Sequence, residues 1–187
     1  MSSRRDQGVT LIEVMIVLGI TAIIAGLAAP SFADFLNRQR VKAIAAEVST
    51  DLAYARAEAG LRPVDVIVEF KRKSSVSCYT IYYQSDSGSC DCSRPAGTAC
   101  QGGPVPELKT AQMADSLGVT FEPAGTWPSR RSAGQLQFKA PQMLPSLTDF
   151  FVVVKGTRGG VLWVQVNGMG RISTCSPDKS IGGFPSC

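Results

Sequence analysis

The sequence has no histidine among its 187 residues. This absence excludes the Ser-His and Cys-His pairs through which many enzymes activate a hydroxyl or a thiol nucleophile. A Walker phosphate-binding loop is also missing. The stretch "GMGRIS" (168–173) begins like a dinucleotide fingerprint, but it lacks the final glycine and follows a predicted hairpin rather than a strand-to-helix turn. We therefore expect no catalytic residues and no organic cofactor.

Zinc-binding patterns are absent as well, because there is no C-x-x-C pair and no histidine to complete a usual ligand set. Six cysteines are present, and an even number behind a membrane-targeting segment predicts disulfides made in an oxidising compartment. They are Cys78, Cys90, Cys92, Cys100, Cys175 and Cys187. A bridge between Cys90 and Cys92 would close a strained ring, so we expect one of them to pair with Cys78 and the other with Cys100. Which one takes which partner stays open.

Neither sign of charge is in strong excess, since the formal net charge is only +4. An excess this small does not by itself predict a nucleic-acid partner.

Lysine and arginine are missing from Val9–Ala29, an apolar run of 21 residues whose one charged side chain is Glu13. As a helix this run would span about 31 Å, which matches the hydrocarbon core of a bilayer. Arg4 and Arg5 precede it, so the positive-inside rule predicts a cytoplasmic leader and export of the chain after Pro30. The candidate signal-peptidase site "GLAA" is followed at once by Pro30, which disfavours ordinary cleavage there.

Glu13 needs a partner, because a carboxylate within a membrane costs about 2.5–3.5 kcal/mol. A cut between Gly8 and Val9 would create an ammonium four residues before Glu13, and Glu13 of a neighbouring copy would meet it at the membrane surface. The sequence therefore predicts that Glu13 is a subunit-assembly residue. An uncleaved signal anchor is the alternative.

Gly8, the segment "VTLIE" (9–13) and a long apolar run with Pro30 at its end resemble the class III leader of type IV pilins and type II secretion pseudopilins. The resemblance implies that residues 1–8 are a leader removed by prepilin peptidase, and that the new amine of Val9 is methylated. This family usually begins its mature chain with phenylalanine, where this sequence has valine. Residues 9–30 would be the transmembrane half of the N-terminal helix, and Pro30 its kink.

Apolar residues continue after Pro30 at spacings of three and four, which predicts one buried helical stripe over residues 31–62. The stripe comprises Val41, Ile44, Val48, Leu52, Ala55 and Ala59. Gly60 and Pro63 end this pattern, with Gly60 as a candidate C-cap.

After Pro63 the apolar period changes to two, which predicts strands. Strand-like segments are 64–70, 76–84, 117–123, 134–140, 149–155, 161–166 and 169–174. Lys71, Arg72 and Lys73 are predicted to form a solvated basic turn together with two serines, and Asn167-Gly168 is predicted to form a two-residue hairpin turn. The fold class is thus α+β: a long N-terminal helix packed on a disulfide-bonded, antiparallel β-rich head over residues 63–187.

The segments "LAYARAEAGLRPVDVIVEF" (52–70) and "NGMGRISTC" (167–175), with "PSC" at the end, resemble the FimT/FimU and GspH branch of the pilins. This resemblance implies a pilin-like fold and, as in FimU-like minor pilins, a bridge between Cys175 and Cys187. The bridge would close a loop of 13 residues with little else to hold it, and would be worth about 3 kcal/mol.

FimT-like proteins also bind DNA through a G-R-x-R motif before this loop. Here the motif reads Gly170-Arg171-Ile172-Ser173, so Arg171 is kept and Ser173 replaces the second arginine. If this function is present, Arg171 would bind phosphate, with Lys179 and Arg158 as candidates to compensate for the missing cation.

The resemblance implies a minor pilin that primes or joins assembly of the type IV pilus, in filaments that serve twitching motility and adhesion. The protein would be a single-pass inner-membrane protein with a periplasmic head, and would become extracellular in the pilus. Its partners would be other minor and major pilins, the prepilin peptidase, the inner-membrane assembly platform and, before assembly, membrane lipid. Two alternatives stay open: a pilus-associated DNA receptor for natural transformation, and a GspH-like minor pseudopilin of type II secretion.

Overall fold

A computed structural model describes residues 9–85, 89–101, 106–125 and 134–187. The chain divides into two units, one ending at Leu36 and the other running from Asn37 to Cys187. Helix α1 (Leu11–Leu61) contributes to both units, so each is described by itself.

The first unit is an apolar helical segment. Its side chains from Val9 to Phe32 are exposed, and α1 is the one helix within the described residues that is long and apolar enough to cross a membrane. Pro30 lies inside α1, which is assigned as helix on both sides of it.

In the second unit, α1 buries the six apolar stripe positions that the sequence predicted, each with at most 7% of its surface exposed. Two polar residues, Asn37 and Asp51, are buried on the same helix, and the apolar pattern did not indicate them. The helix ends at Leu61, two residues before Pro63, whose ring restricts the residue that precedes it.

The head contains two larger antiparallel sheets and one short ladder. The first sheet has the order β5-β2-β1-β7-β8 and the second β11-β10-β9-β6, while β3 pairs with β4. In chain order, the strands are β1 (Val66–Lys73), β2 (Val76–Tyr83), β3 (Ser89–Cys90), β4 (Cys100–Gln101), β5 (Glu107–Ala114), β6 (Val119–Gly125), β7 (Gln135–Lys139), β8 (Leu144–Pro145), β9 (Asp149–Gly156), β10 (Val161–Asn167) and β11 (Ile172–Cys175). The predicted α+β class, with a long N-terminal helix and antiparallel sheets, is confirmed.

One core joins the helix to the inner faces of both sheets. Its aromatic centre is Phe70 on β1, whose ring centroid lies 5.1 Å from that of Tyr79, 6.3 Å from that of Phe121 and 5.8 Å from that of Phe150. Tyr79 belongs to the first sheet, whereas Phe121 and Phe150 belong to the second. Aromatic contacts of this kind add about 0.5–1.5 kcal/mol each to the burial of apolar area, so they hold the two sheets together.

The segment 89–101 covers the outer face of the first sheet. Strand β2 is consequently buried on both faces from Ser77 to Tyr83. The Lys71 ammonium donates to the Cys90 carbonyl at 2.9 Å, and the Gln112 side chain donates to the carbonyls of Cys92 and Arg94 at 2.6 and 2.8 Å. Sequence reasoning left residues 85–106 as a loop and missed β5, because apolar and polar residues alternate only weakly in Glu107–Ala114.

Two turn predictions were wrong in part. Lys71, Arg72 and Lys73 lie within β1, and the turn consists of Ser74 and Ser75, since Lys73 pairs with Val76. The three basic side chains contact acids rather than solvent alone: Lys71 pairs with Glu69, Arg72 with Asp115 and Glu122, and Lys73 with Asp91.

The last hairpin has a three-residue loop rather than a two-residue one. The Gly170 N–H donates to the Asn167 carbonyl at 2.8 Å, and the Asn167 N–H donates to the Arg171 carbonyl at 3.1 Å. Gly170 has φ +74°, as expected at the left-handed position of a three-residue hairpin loop. The sequence "NGMG" holds two glycines, and the second of them sets the turn.

Candidate functional site

The start of α1 carries the residues with the strongest functional prediction. Gly8 lies outside the described residues, and Val9 is the first that the structure describes. The Thr10 hydroxyl accepts a hydrogen bond from the Glu13 N–H at 3.4 Å, so Thr10 caps the helix. Sequence reasoning missed this role, although Thr10-x-x-Glu13 has the spacing of a capping box.

Glu13 is exposed in the first turn of α1. No lysine or arginine occurs from Val9 to Leu36, so the described part of this unit has no cationic side chain to pair with the carboxylate. The helix N-terminus itself favours a negative charge by about 0.3–1 kcal/mol. The charge of Glu13 thus stabilises the start of the helix, and its carboxylate is available to pair with an external cation.

Asp51 is a buried polar residue of the helix with partners on two strands. It has 6% of its surface exposed, and its carboxylate accepts from the Tyr79 hydroxyl on β2 and from the Lys109 ammonium on β5. The Asp51–Lys109 contact is 2.7 Å at its shortest. One carboxylate therefore joins the helix to two strands of the first sheet.

Asn37 makes the corresponding link to the second sheet. Its Nδ2 donates to the Gly118 carbonyl at 2.7 Å, and its Oδ1 accepts from the Arg158 N–H at 3.3 Å. A Cβ on Gly156 would collide with Asn37 Oδ1, so this close approach requires glycine there.

All six cysteines are paired. Cys78 bonds to Cys92, Cys90 to Cys100 and Cys175 to Cys187. The first two bridges choose between the alternatives that the sequence left open. They fasten segment 89–101 to β2 and close it on itself.

Glu107 fixes the same segment without a covalent bond. Its carboxylate accepts from the Gly97 N–H at 2.7 Å and the Ala99 N–H at 2.9 Å. Burial alone would raise the pKa of Glu107, but hydrogen bonds from the Thr110 hydroxyl and the loop backbone outweigh it and lower the pKa below its ordinary value.

The C-terminal loop is held by more than its disulfide, contrary to the expectation from its composition. Ile181 has 2% of its surface exposed, and Phe184 packs against the core. The Ser176 N–H donates to the Pro185 carbonyl at 2.9 Å, and the Ser180 hydroxyl accepts from the Val161 N–H at 3.0 Å.

The three candidate DNA-binding cations are exposed, but the structure does not bring them together. Arg158 lies in the turn before β10, and Lys179 adjoins Ser180, which bonds to the first residue of β10. Arg171 lies beyond the other end of this strand. Seven residues of β-strand extend about 20 Å, so Arg158 and Lys179 are poorly placed to replace the arginine missing beside Arg171.

Comparisons with known proteins agree with these features. Residues 3–29 match the family described as the prokaryotic N-terminal methylation motif. Comparison with curated proteins gives no match. The type IV minor pilin FimU of Pseudomonas aeruginosa (strain PAO1) is similar in structure, with a TM-score of 0.54 at 16% identity over 79% of this chain and 97% of that chain. The minor pseudopilin EpsH from the Type 2 Secretion System of Vibrio cholerae gives a TM-score of 0.49 at 14% identity, over 74% and 98%.

At this identity the likeness to FimU shows the fold alone. The match over residues 3–29 shows that the N-terminal segment carries the methylation motif. The chain is therefore a protein with a prokaryotic N-terminal methylation motif and a type IV pilin-like α+β fold.

Proposed function

We propose that this protein is a minor pilin that joins or primes a type IV pilus. One observation carries the proposal: Glu13 is the only charged residue of the apolar run Val9–Ala29, which lies within the segment that matches the methylation motif. In the proposed organisation, residues 1–8 are the leader, 9–30 the membrane-embedded half of the helix, 31–62 its amphipathic half and 63–187 the head.

The mechanism is assembly by packing rather than catalysis. Cleavage after Gly8 frees the amine of Val9, and Glu13 of one subunit attracts the Val9 amine of a neighbour. At 4 Å and an effective dielectric constant of 20, two such charges attract by about 4 kcal/mol, which offsets the cost of placing the carboxylate among lipid tails. The attraction fixes the axial register of the subunits, and the exposed apolar side chains of the same segment supply the contact area.

Before assembly, the apolar half-helix would hold the protein in the inner membrane, with the head in the periplasm. The two bridges of segment 89–101 and the bridge of the C-terminal loop support an oxidising location for the head. The closed C-terminal loop supports the pilus over a type II secretion role, because the resemblance associates that loop with FimU-like minor pilins.

Mass spectrometry of the protein from its native host tests the proposal. We expect an N-terminus at Val9 with a methylated amine, and we expect the same mature chain in filaments sheared from the cells. An intact leader would contradict it. A mature chain that is missing from pili but needed for protein secretion would assign the type II secretion role instead.

A further inference from the structure

The two sheets differ in how their outer faces are covered. Segment 89–101 lies over the first sheet, whereas the outer side chains of β9 and β10 in the second sheet alternate with core residues and stay partly exposed. Among them, Phe151 and Trp163 stack with ring centroids 4.6 Å apart and an interplanar angle of 24°.

A depression of about 290 Å³ lies on this outer face, at the end of the sheet where β9 begins and β10 ends. Phe151 forms its apolar wall. Trp163 packs on one side of Phe151 and does not line the depression, so it supports the ring and leaves another part of the ring surface for contact with a ligand.

Thr148 and four polar side chains of the strands line the depression beside this wall; the four are Asp149, Gln165, Asn167 and Ser173. Asp149 pairs with Asn167 across the strands, and Gln165 lies between Phe151 and Ser173. Side chains of directly paired residues are about 5 Å apart, which is the spacing of adjacent hydrogen-bonding groups on a small ligand.

These polar groups are available for binding. In the part of the chain that the structure describes, Asp149, Gln165 and Ser173 have no hydrogen bond from their side chains to the protein. Asn167 Oδ1 accepts from the N–H groups of Met169 and Arg171, at 3.1 and 2.9 Å, which fixes the carboxamide and leaves its Nδ2 to donate. The site thus offers a carboxylate acceptor, a fixed amide donor, a second amide and a hydroxyl beside one aromatic ring.

From this arrangement we infer that the depression is a binding site for a neutral sugar ring, such as the terminal pyranose of a glycan. A pyranose presents C–H groups on its face, which pack on an aromatic ring, and hydroxyls on its edge, which donate to carboxylates and exchange hydrogen bonds with amides. The described lining contains the Asp149 carboxylate and no lysine or arginine, so it disfavours phosphates and nucleic-acid backbone. Its volume fits one ring rather than a long oligomer. This inference does not depend on the proposed role in pilus assembly.

Ligand-observed saturation-transfer NMR on the full chain tests the inference. The protein is kept in micelles of a detergent without a sugar headgroup, and the probes are methyl β-D-glucopyranoside, methyl β-D-galactopyranoside and N-acetyl-D-glucosamine. We expect transfer to the ring protons of at least one sugar, with a Kd of about 1 mM, which corresponds to about 4 kcal/mol of binding free energy. No transfer to any of the three at protein concentrations that give full signal for a detergent control would overturn the inference.

Variants locate the site. Gln165→Ala and Asp149→Asn change exposed or half-exposed polar groups, and each should weaken binding about tenfold, or 1.4 kcal/mol. Thr120→Ala changes the same outer face at the far end of the sheet and should leave binding unchanged. Sugar binding that survives both site variants would overturn the assignment, as would displacement of the sugar by a short single-stranded oligonucleotide. Chemical-shift dispersion of each variant shows that it is folded.

Discussion

A carboxylate oxygen of Asp51 on the helix lies 2.7 Å from the Lys109 ammonium on β5, the edge strand of the first sheet. The Tyr79 hydroxyl donates to the same carboxylate. Burial, together with this hydrogen bond, raises the pKa of Tyr79, and the hydrogen bond to Asp51 raises the pKa of Lys109. The helix is thus joined to β2 and β5 through one buried acid.

Removing either donor should destabilise the head. Tyr79→Phe and Lys109→Met each leave the Asp51 carboxylate short of one partner, and we expect each to lower the free energy of unfolding by about 1–3 kcal/mol. Because both substitutions act on one carboxylate, the loss of unfolding free energy in the double variant should differ from the sum of the losses in the two single variants. Urea unfolding of the full chain in micelles measures this. Lys155→Met, an exposed lysine on the second sheet, is the matched control, with a change below about 0.5 kcal/mol.

Acid should loosen segment 89–101 through Glu107. The pKa of Glu107 is lowered in the folded protein, so its contribution to stability is complete above the ordinary value of 4.5 and is lost as the pH falls through the folded pKa. In Glu107→Gln this part of the decrease in stability on acidification should disappear, while stability at neutral pH is lower than in the wild type. Thermal unfolding over a pH series checks the prediction. The prediction would be contradicted if stability fell with pH as much in Glu107→Gln as in the wild type. Asp149→Asn is the matched acid-to-amide control.

The disulfide pairs should be recoverable by non-reducing peptide mapping as Cys78–Cys92, Cys90–Cys100 and Cys175–Cys187. Replacing both Cys175 and Cys187 by serine should cost about 3 kcal/mol, since the bridge closes a short loop in the unfolded chain. The double variant should still fold, because Ile181 of this loop is buried in the core. A peptide that joins Cys175 to another cysteine would contradict the pairing.

Filament incorporation should depend on the charge of residue 13 rather than on helix capping. Glu13→Ala and Glu13→Gln should both insert in the membrane and be absent from sheared pili, because neither offers an anion to the neighbour's amine. Thr10→Ala removes the hydroxyl that caps α1, at a cost of about 1 kcal/mol, and should still be incorporated. Glu13→Gln at wild-type levels in pili would show that the residue acts through its shape or its place in the first helical turn, and that the docking mechanism is wrong.

Arg171 should not form one DNA-binding site with Arg158 and Lys179, since Arg171 lies at one end of β10 and the other two cations lie at the opposite end. Gel shifts of the full chain at low and high salt, with Arg171→Ala and Arg158→Ala as a matched pair, measure this. A salt-sensitive shift that is abolished by Arg171→Ala alone would instead favour the DNA-receptor alternative.

The helix and strands of the head were predictable from the sequence where the spacing of apolar residues has a clear helical or strand period. The stripe from Val41 to Ala59 has one helical period, and its six members are buried. Strand segments with strong alternation, such as those that became β9 and β10, were placed to within one residue of their observed bounds.

The sequence did not reveal polar groups that are satisfied only by distant partners. Asp51 and Tyr79 are 28 residues apart, and Asp51 and Lys109 are 58 apart, so no local pattern marks Asp51 as buried. The predicted loop of the last hairpin was wrong for a related reason. The dipeptide "NG" favours a two-residue turn, but the cross-strand register places the left-handed residue at Gly170. The sugar-site residues are likewise scattered over three strands, and only their pairing brings them together.

Because every sulfur of the cysteines is already engaged in a bridge, the native chain offers nothing for a maleimide to modify unless a reductant is added. One engineered thiol at Met169, whose side chain is 73% exposed on the last hairpin loop, would then carry the dye alone. The unmodified chain would serve as the blank in the same labelling reaction, so single subunits could be followed by fluorescence without removing any natural crosslink.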